Sequence, residues 1–161
     1  MMHDLSPEQA DARAEFRDMV DREIAPIAGD LHRREQTPRE IIRRLADRGY
    51  LGLPLPRDLG GAGRDMVTFG LLAAELGRGC SSLRSLITVH TMVAQAILRW
   101  GTRAQKEAWI PRLAAGSAIG AFALSEPGVG SDAKSVTTEA RAEGGDVVLN
   151  GHKKWITYGQ I

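Results

Sequence analysis

The chain has 161 residues, of which 43% are hydrophobic and 25% charged, and its 21 basic side chains almost balance its 20 acidic ones. This composition is typical of a folded globular protein and excludes the disordered, collagen-like and disulfide-rich classes. The formal net charge of +1 gives no reason to expect nucleic acid or another polyanionic partner. Cys80 is the single cysteine and cannot form an internal disulfide, which favours a reducing cytoplasm.

The first twenty residues carry acidic side chains throughout and lack the apolar centre of a secretory signal peptide. Nowhere does the chain approach the run of ~20 apolar residues that a membrane-spanning helix requires. The longest apolar stretch, residues 86–98, is interrupted by several polar side chains. We therefore expect a soluble cytoplasmic protein with no membrane segment.

The first two-thirds of the chain predicts helices with well-marked ends. Residues 6–9 (SPEQ) form a capping-box pattern with proline at the first helical position. Apolar side chains then recur every three or four residues until Pro26, where the first helix is expected to end. The sequence TPRE at residues 37–40 repeats the capping pattern before a second helix, and Gly49 is the predicted stop of that helix.

Three further helices are predicted after residues 50–64, a loop rich in glycine and proline whose leucines need burial. Asp65 is the predicted cap of the first of them. The second begins around Ser82 and ends at Gly101. The third opens with another capping-box pattern (TRAQ), and Pro111 should kink it or end it early.

After Gly116 the apolar periodicity changes from that of helices to that of strands. Four short segments predict strands: residues 118–125, 136–140, 147–149 and 154–158. A turn at residues 144–146 separates the second from the third, and Asn150-Gly151 is a tight-hairpin signal before the fourth. The predicted class is therefore α+β, with an all-α helical domain over residues 1–116 and the opening strands of a β domain over 117–161.

The pattern G-x-G-x-x-A at residues 128–133 follows a predicted strand, as it does in a Rossmann dinucleotide site. Such a site needs a helix directly afterwards, whereas the residues that follow alternate and contain turns, so we reject it. We interpret His90 as a hydrogen-bonded core residue, Cys80 as a small buried residue and Glu126 as part of a turn. No second histidine gives His90 the spacing of a metal site, so no metal is predicted.

Two segments can carry ligand chemistry. Residues 122–132 (FALSEPGVGSD) combine small residues with the hydroxyls of Ser125 and Ser131. This segment is either a plain turn or a loop whose amides approach a flat or phosphorylated ligand. Residues 155–157 (WIT) either line a planar cofactor or form a strand with Trp155 in the core. The residues alone leave both alternatives open.

Taken together, these segments resemble the acyl-CoA dehydrogenase family. The chain has FALSEPGVGSD and, about twenty residues later, NGHKKWIT, which are similar to the family's FAL(S/T)EPxxGSD and NGxKxWIT. The loop LGLPLPRDLGGAG and the passage GTRAQKEAWIPRLAAGSAIGAFALSEP also resemble the family. The resemblance covers essentially all 161 residues. It implies a β-barrel-like middle domain, incomplete here, and a C-terminal helical bundle that this chain does not contain.

The resemblance implies FAD as cofactor. The residues that match the family's cofactor contacts are Phe122, Ala123, Leu124, Ser125, Gly130, Ser131, Trp155, Ile156 and Thr157. Ser125 matches a threonine that addresses the flavin pyrimidine edge, Thr157 a hydrogen-bond partner near flavin N5, and Trp155 the indole beside the ring. Ser131 also matches a substrate contact at the thioester arm. Oriented donors of this kind stabilise the negative charge of a reduced flavin.

Two residues depart from the family pattern. His152 stands at a site that is often small or polar, and we interpret it as a solvated turn residue. Tyr158 replaces a common asparagine after the Trp-Ile-Thr triplet. Either change is compatible with an unusual acyl substrate, including one carried by an acyl-carrier protein.

The family reaction is α,β-dehydrogenation, in which a carboxylate base removes the α proton while a hydride moves to flavin N5. No residue of this chain matches that base, which the resemblance places beyond Ile161, so the chain is expected to be an inactive N-terminal portion or to need a partner chain. The implied partners are an acyl-CoA or acyl-carrier-protein thioester, an electron acceptor such as an electron-transfer flavoprotein, and a second copy in a dimer or tetramer. A flavin oxidase or monooxygenase of the same fold and a non-catalytic interaction subunit remain alternatives.

Overall fold

The computed structural model describes residues 5–160. By its internal contacts the chain divides into two units, Met1–Gly120, called here the helical unit, and Ala121–Ile161, called the β unit. The predicted α+β class is confirmed, because helices fill the first unit and two antiparallel strands form the sheet of the second. Among the described residues, no helix is both long and apolar enough to cross a membrane.

The described part of the helical unit contains six α-helices. They are α1 (Pro7–Met19), α2 (Ala25–Arg34), α3 (Arg39–Asp47), α4 (Met66–Gly79), α5 (Ser81–Trp100) and α6 (Arg103–Ala114). Helix α4 packs against both α1 and α5, and α5 packs in turn against α6. A 3₁₀ turn, Arg57–Leu59, lies in the glycine- and proline-rich loop and packs against α6.

Most of the predicted helix ends are confirmed. Ser6 and Thr102 both form complete capping boxes. In each, the side chain of the first residue accepts the backbone N–H of the glutamine three residues later, and the glutamine side chain accepts the backbone N–H of the first residue. The Asp65 carboxylate accepts the Thr68 hydroxyl and the backbone N–H groups of the first turn of α4, which together lower its pKa to about 2. The side-chain hydroxyl of Thr68 is the largest contribution to that shift. Gly49 follows α3 with a φ of +75°, as expected of a glycine stop.

The prediction that Pro26 ends the first helix is wrong. The chain remains helical to Arg34, with a π-helical turn, Val20–Ile24, between α1 and α2. A proline inside a regular α-helix clashes with the carbonyl four residues earlier. In the π turn the N–H of Ala25 bonds five residues back to Val20, and this wider turn lets Pro26 sit in the first turn of α2, where its missing donor costs little.

Two smaller helix predictions need correction. Helix α3 begins at Arg39, with Pro38 at its N-cap position, one residue later than the TPRE pattern suggests. Pro111 does not end α6 early, because the helix continues to Ala114. Its ring lies near the C-terminal end, where only one further turn remains to be distorted.

The core of the helical unit is made of apolar side chains from several helices and from the loop after α3. Phe16 and Tyr50 meet edge to face, with ring centroids 5.3 Å apart. The Tyr50 hydroxyl donates to Glu15 Oε1 at 2.7 Å. A second cluster joins Leu55 to Ala94 of α5 and Ile110 of α6. These contacts fix the glycine- and proline-rich loop against the helices, as the need to bury its leucines predicts.

His90 confirms the interpretation of a hydrogen-bonded core residue. It is fully buried on α5, its Nε2 donates to the Leu113 carbonyl at 3.2 Å, and the Gly120 N–H donates to its Nδ1 at 3.2 Å. Since Nδ1 accepts, the proton of the neutral ring is on Nε2. Burial lowers the pKa of His90 below its usual value.

Cys80 lies between α4 and α5. It is half-buried, whereas the prediction was a buried residue.

The β unit has one antiparallel hairpin. Strand β1 (Glu139–Glu143) pairs with β2 (Asp146–Asn150), and the register places Glu139 opposite Asn150. Gly144 and Gly145 form the connecting turn with φ of +57° and +96°, values that favour glycine at both positions. The predicted turn and the strand at residues 147–149 are therefore confirmed.

The strands predicted at residues 118–125 and 154–158 do not form, and Asn150-Gly151 does not open a hairpin. A strand requires a ladder of backbone hydrogen bonds. Within the described residues the two segments share a single such bond, from the Lys154 N–H to the Ser125 carbonyl at 2.9 Å. Trp155 and Tyr158 also have φ of +60° and +56°, which interrupts extended backbone.

Candidate functional site

The segment 122–132 is an exposed loop closed by a tight turn. Glu126 and Val129 exchange both backbone hydrogen bonds, at 3.0 and 3.1 Å, around Pro127 and Gly128. The side chains of Phe122 and Leu124 are 43% and 39% exposed. The next element is a 3₁₀ turn, Ala133–Ser135, and not an α-helix. The rejection of a Rossmann dinucleotide site is thus supported by the local structure.

The two segments that the sequence singles out lie beside each other in the β unit. The Lys154 N–H donates to the Ser125 carbonyl at 2.9 Å. One residue earlier, the Lys153 ammonium donates to the Leu124 carbonyl at 3.1 Å. The loop that bears Ser125 and the segment that leads into Trp155 are therefore joined by main-chain and side-chain hydrogen bonds.

Glu126 is the buried group at the centre of this arrangement, with 5% of its surface exposed. Its Oε2 accepts the Thr137 N–H at 2.8 Å and the Thr137 hydroxyl at 2.7 Å. Its Oε1 accepts the Thr138 N–H at 2.9 Å, the Thr138 hydroxyl and the Lys153 ammonium at 2.9 Å. The hydroxyls of Thr138 and Thr137, followed by the Thr137 amide and Lys153, hold the pKa of this carboxyl far below its usual range.

The interpretation of Glu126 as part of a turn is confirmed, since its backbone closes the 126–129 turn and its carboxylate organises the neighbouring chain. Lys153 is the residue that reasoning from the sequence did not single out. The sequence does contain an indication of such a partner. A glutamate between apolar and small residues needs hydrogen-bond donors or a cation if the loop buries it. Lys153, directly before the strand predicted at residues 154–158, is one such cation.

Trp155 does not lie in a core, since 81% of its surface is exposed. The Lys154 ammonium lies over its ring, 4.7 Å from the centroid. The alternative that Trp155 is the buried residue of a strand is therefore wrong within the described chain. Ile156 and Thr157 beside it are half-buried.

His152 is exposed, as expected of a turn residue, and Tyr158 is half-buried with a left-handed backbone. Ser131 and Gly130 lie exposed at the far end of the loop. The structure thus brings residues 124–126 against 153–154, while Phe122, Gly130 and Ser131 lie outside this contact.

The donors of this region suit a planar heteroaromatic ligand rich in carbonyl and ring-nitrogen acceptors. The hydroxyls of Ser125, Ser131 and Thr157 make no hydrogen bond to another residue of the described chain. An exposed indole, Trp155, lies two residues before Thr157. The negative charge of Glu126 is buried and paired with Lys153, so it does not oppose an electron-rich ligand. Among the described residues, no cluster of histidine, cysteine and carboxylate side chains could hold a metal ion.

Comparison with known families identifies both units. The pattern described as acyl-CoA dehydrogenase, N-terminal domain, matches residues 6–117, and the one described as acyl-CoA dehydrogenase, middle domain, matches residues 121–161.

Individual relatives agree. The human mitochondrial short-chain specific acyl-CoA dehydrogenase is 40% identical over 142 residues, which is 88% of this chain and 34% of the relative. An acyl-CoA dehydrogenase of Bacillus subtilis (strain 168) is 40% identical over 159 residues, 98% of this chain and 42% of the relative.

Among solved structures, a glutaryl-CoA dehydrogenase from Mycobacterium smegmatis in complex with FADH2 superposes with a TM-score of 0.89 at 38% identity, covering 94% of this chain and 39% of that one. The chain therefore spans well under half the length of the relatives that it matches. The two family matches together account for nearly all of the residues that the structure describes. The chain belongs to the acyl-CoA dehydrogenase family.

Proposed function

We propose that the chain supplies flavin-binding segments of an FAD-dependent dehydrogenase that acts on acyl thioesters. The observation that supports this is the junction between the two motif segments, where the Lys154 N–H meets the Ser125 carbonyl at 2.9 Å. It brings the hydroxyl-bearing loop next to the segment that contains Trp155 and Thr157. The donor set fits FAD, whose ring edge offers carbonyl oxygens and ring nitrogens to hydroxyl and amide donors.

FAD, when bound, supplies the acceptor for a hydride that leaves the β carbon of the acyl thioester. The residues that hold it in this proposal are Phe122, Ala123, Leu124, Ser125, Gly130, Ser131, Trp155, Ile156 and Thr157. Ser125 and Thr157 would donate hydrogen bonds to the ring, Trp155 would pack beside it, and Ser131 would contact both cofactor and substrate. Preorganised donors of this kind stabilise negative charge that develops on an electron acceptor.

Glu126 does not serve as the base that removes the α proton. Its carboxylate is buried and engaged by five donors, and its pKa is far below that of a carboxylate that takes up protons near neutral pH. The base predicted beyond Ile161 stays a prediction. So does the division into domains 1–116 and 117–161.

We infer an acyl-CoA substrate and an electron-transfer flavoprotein as acceptor. A carrier-protein thioester as an alternative substrate, assembly into a dimer or tetramer, and a cytoplasmic location stay predictions.

The test is the visible absorption of the purified protein, followed by anaerobic addition of a series of acyl-CoA thioesters. We expect a flavin band that an acyl-CoA bleaches, and release of FAD on denaturation. Absence of flavin from the complete assembly would contradict the proposal and favour a non-catalytic subunit. Rapid reoxidation of the reduced protein by oxygen would instead favour an oxidase or monooxygenase.

A further inference from the structure

Glu126 is chemically unusual within the β unit. It is the only buried side chain between residues 121 and 160, and it is charged. A buried carboxylate is stable only when donors and a cation replace the water that it loses. Here two threonines supply four neutral donors and Lys153 supplies the cation.

The partners of Glu126 come from two places along the chain. Thr137 and Thr138 lie directly before β1, and Lys153 follows β2 by three residues. Both ends of the hairpin are therefore tied to the one carboxylate. The Lys153 ammonium also donates to the Leu124 carbonyl, at 3.1 Å, so it spans from the hairpin end to the loop that contains Ser125.

This network adjoins the residues to which we assign flavin contacts. Ser125 precedes Glu126, and Trp155 to Thr157 follow Lys153 and Lys154. Trp155 has a left-handed backbone, with φ of +60°, which is unfavourable for a residue with a side chain and persists only if its surroundings hold it. The bonds made by Lys153 and Lys154 lie directly before this residue.

We propose that Glu126 is a positioning residue of the flavin site, whose carboxylate holds the loop at residues 124–126 against residues 153–157 and so sets the placement of Ser125 relative to Thr157. The inference rests on the proposed function. Glu126 does not touch the cofactor in this assignment; it acts through Lys153 and through the segments that the network joins.

The test variant is Glu126→Gln, which keeps the size of the side chain. All five groups around the carboxylate are donors, and an amide presents one acceptor oxygen and one NH2 donor. Whichever way the amide is turned, at least one backbone N–H faces its NH2 donor, since a threonine hydroxyl can turn to accept but an N–H cannot, and Lys153 loses its counter-ion. Glu139→Gln is the matched control, because Glu139 is exposed on β1 and its substitution removes the same negative charge from the β unit.

The measurements are the dissociation constant of FAD, obtained by titrating the apoprotein, and the visible circular dichroism of the flavin at saturating FAD. We expect Glu126→Gln to weaken FAD binding about tenfold, from the loss of the Lys153 counter-ion and of at least one buried hydrogen bond, and to alter the dichroism even when the site is full. Glu139→Gln should match the unsubstituted protein in both. A purely stabilising role for Glu126 would instead let saturating FAD restore the original dichroism, which would overturn the inference.

Equal FAD affinity and dichroism for Glu126→Gln and the unsubstituted protein would also overturn it, while leaving the proposed function intact. If the unsubstituted protein does not bind FAD, both the proposed function and this inference fail. This outcome is distinguishable because Glu139→Gln would then not bind FAD either. If Glu126→Gln does not fold, Lys153→Met takes its place under the same criteria. That variant removes the link to Leu124 and leaves the four threonine donors on the carboxylate.

Discussion

In the helical unit, apolar side chains from α1, α3, α4, α5 and α6 are buried against one another. In the β unit, Glu126 is the single buried side chain of the described residues, while Val147 and Leu149 on β2 are 67% and 70% exposed. The first unit is thus stabilised mainly by apolar burial and the second by a network of hydrogen bonds around one charge. A network of this kind specifies which groups meet, but contributes less to the free energy of unfolding than a core does.

The largest effect that separates the two units is expected from leucine truncation. Leu86→Ala removes a side chain that is 1% exposed on α5 and should lower the free energy of unfolding by about 2–5 kcal/mol. Leu149→Ala, at a side chain that is 70% exposed on β2, should change it by less than about 0.5 kcal/mol. Urea unfolding followed by far-ultraviolet circular dichroism measures both. Equal losses would mean that the exposed face of β2 is covered in solution and that the comparison fails.

His90 gives the next largest effect, because the helical unit also has a buried polar group. His90→Leu leaves the Leu113 carbonyl and the Gly120 N–H without their partner and should destabilise the protein by about 2 kcal/mol or more. The same denaturation experiment measures this loss. His90→Gln, which has both a donor and an acceptor, should recover part of it.

The pKa of His90 also predicts a pH dependence. Burial lowers the pKa in the folded state, so between the two pKa values the unfolded chain binds more protons than the folded one. Stability should therefore be full above the ordinary histidine value of about 6.5 and fall as the pH decreases below it. Urea midpoints collected against pH should lose this slope in His90→Gln, and an unchanged slope would assign it to other groups.

An intermediate effect is expected at Glu75, which is the buried carboxylate among the described residues of the helical unit. Glu75 on α4 accepts Arg13 from α1 at 3.4 Å and Arg78 at 2.9 Å. Desolvation raises the pKa of Glu75, but the hydrogen bonds from Arg78 and Arg13 together lower it by more, so its pKa is below the usual value. Glu75→Gln should cost about 1–3 kcal/mol, less than the loss of a fully buried pair because the arginines are half-exposed. Urea unfolding measures the loss, with the exposed Glu107→Gln on α6 as the control.

The smallest effect is expected at Ser125, whose hydroxyl is proposed to meet the flavin. Ser125→Ala removes a hydroxyl that bonds no other described residue, so the free energy of unfolding should stay within about 0.5 kcal/mol of its original value. FAD binding should weaken about three- to tenfold if the hydroxyl donates to the flavin. Titration of the apoprotein with FAD measures this, with Ser117→Ala as a control outside the β unit. A stability loss without a change in FAD affinity would place Ser125 in the structure and not in the site.

The features that were predictable from the sequence depend on neighbours close along the chain. The capping boxes at Ser6 and Thr102 and the turn at Gly144-Gly145 are set by residues within three or four positions of one another. Pro26 was misjudged because the same residue ends a regular helix but is accepted after a π turn, and the π turn has no clear local signature. The strand at residues 118–125 was misjudged because a strand depends on a partner that local pattern does not specify.

By itself, the sequence determined that helices precede strands, the caps of most helices, the turn at Gly144-Gly145, the family, and the two segments proposed to meet the flavin, because these follow from local pattern and from motifs in order. Only the tertiary structure decided that Glu126 is buried, that Lys153 bridges it to Leu124, and that Trp155 stands exposed. These depend on which distant residues share the limited space around one carboxylate. A buried charge is stable only where donors and a cation surround it. Here those groups come from residues distant along the chain, which the periodicity of the sequence does not indicate.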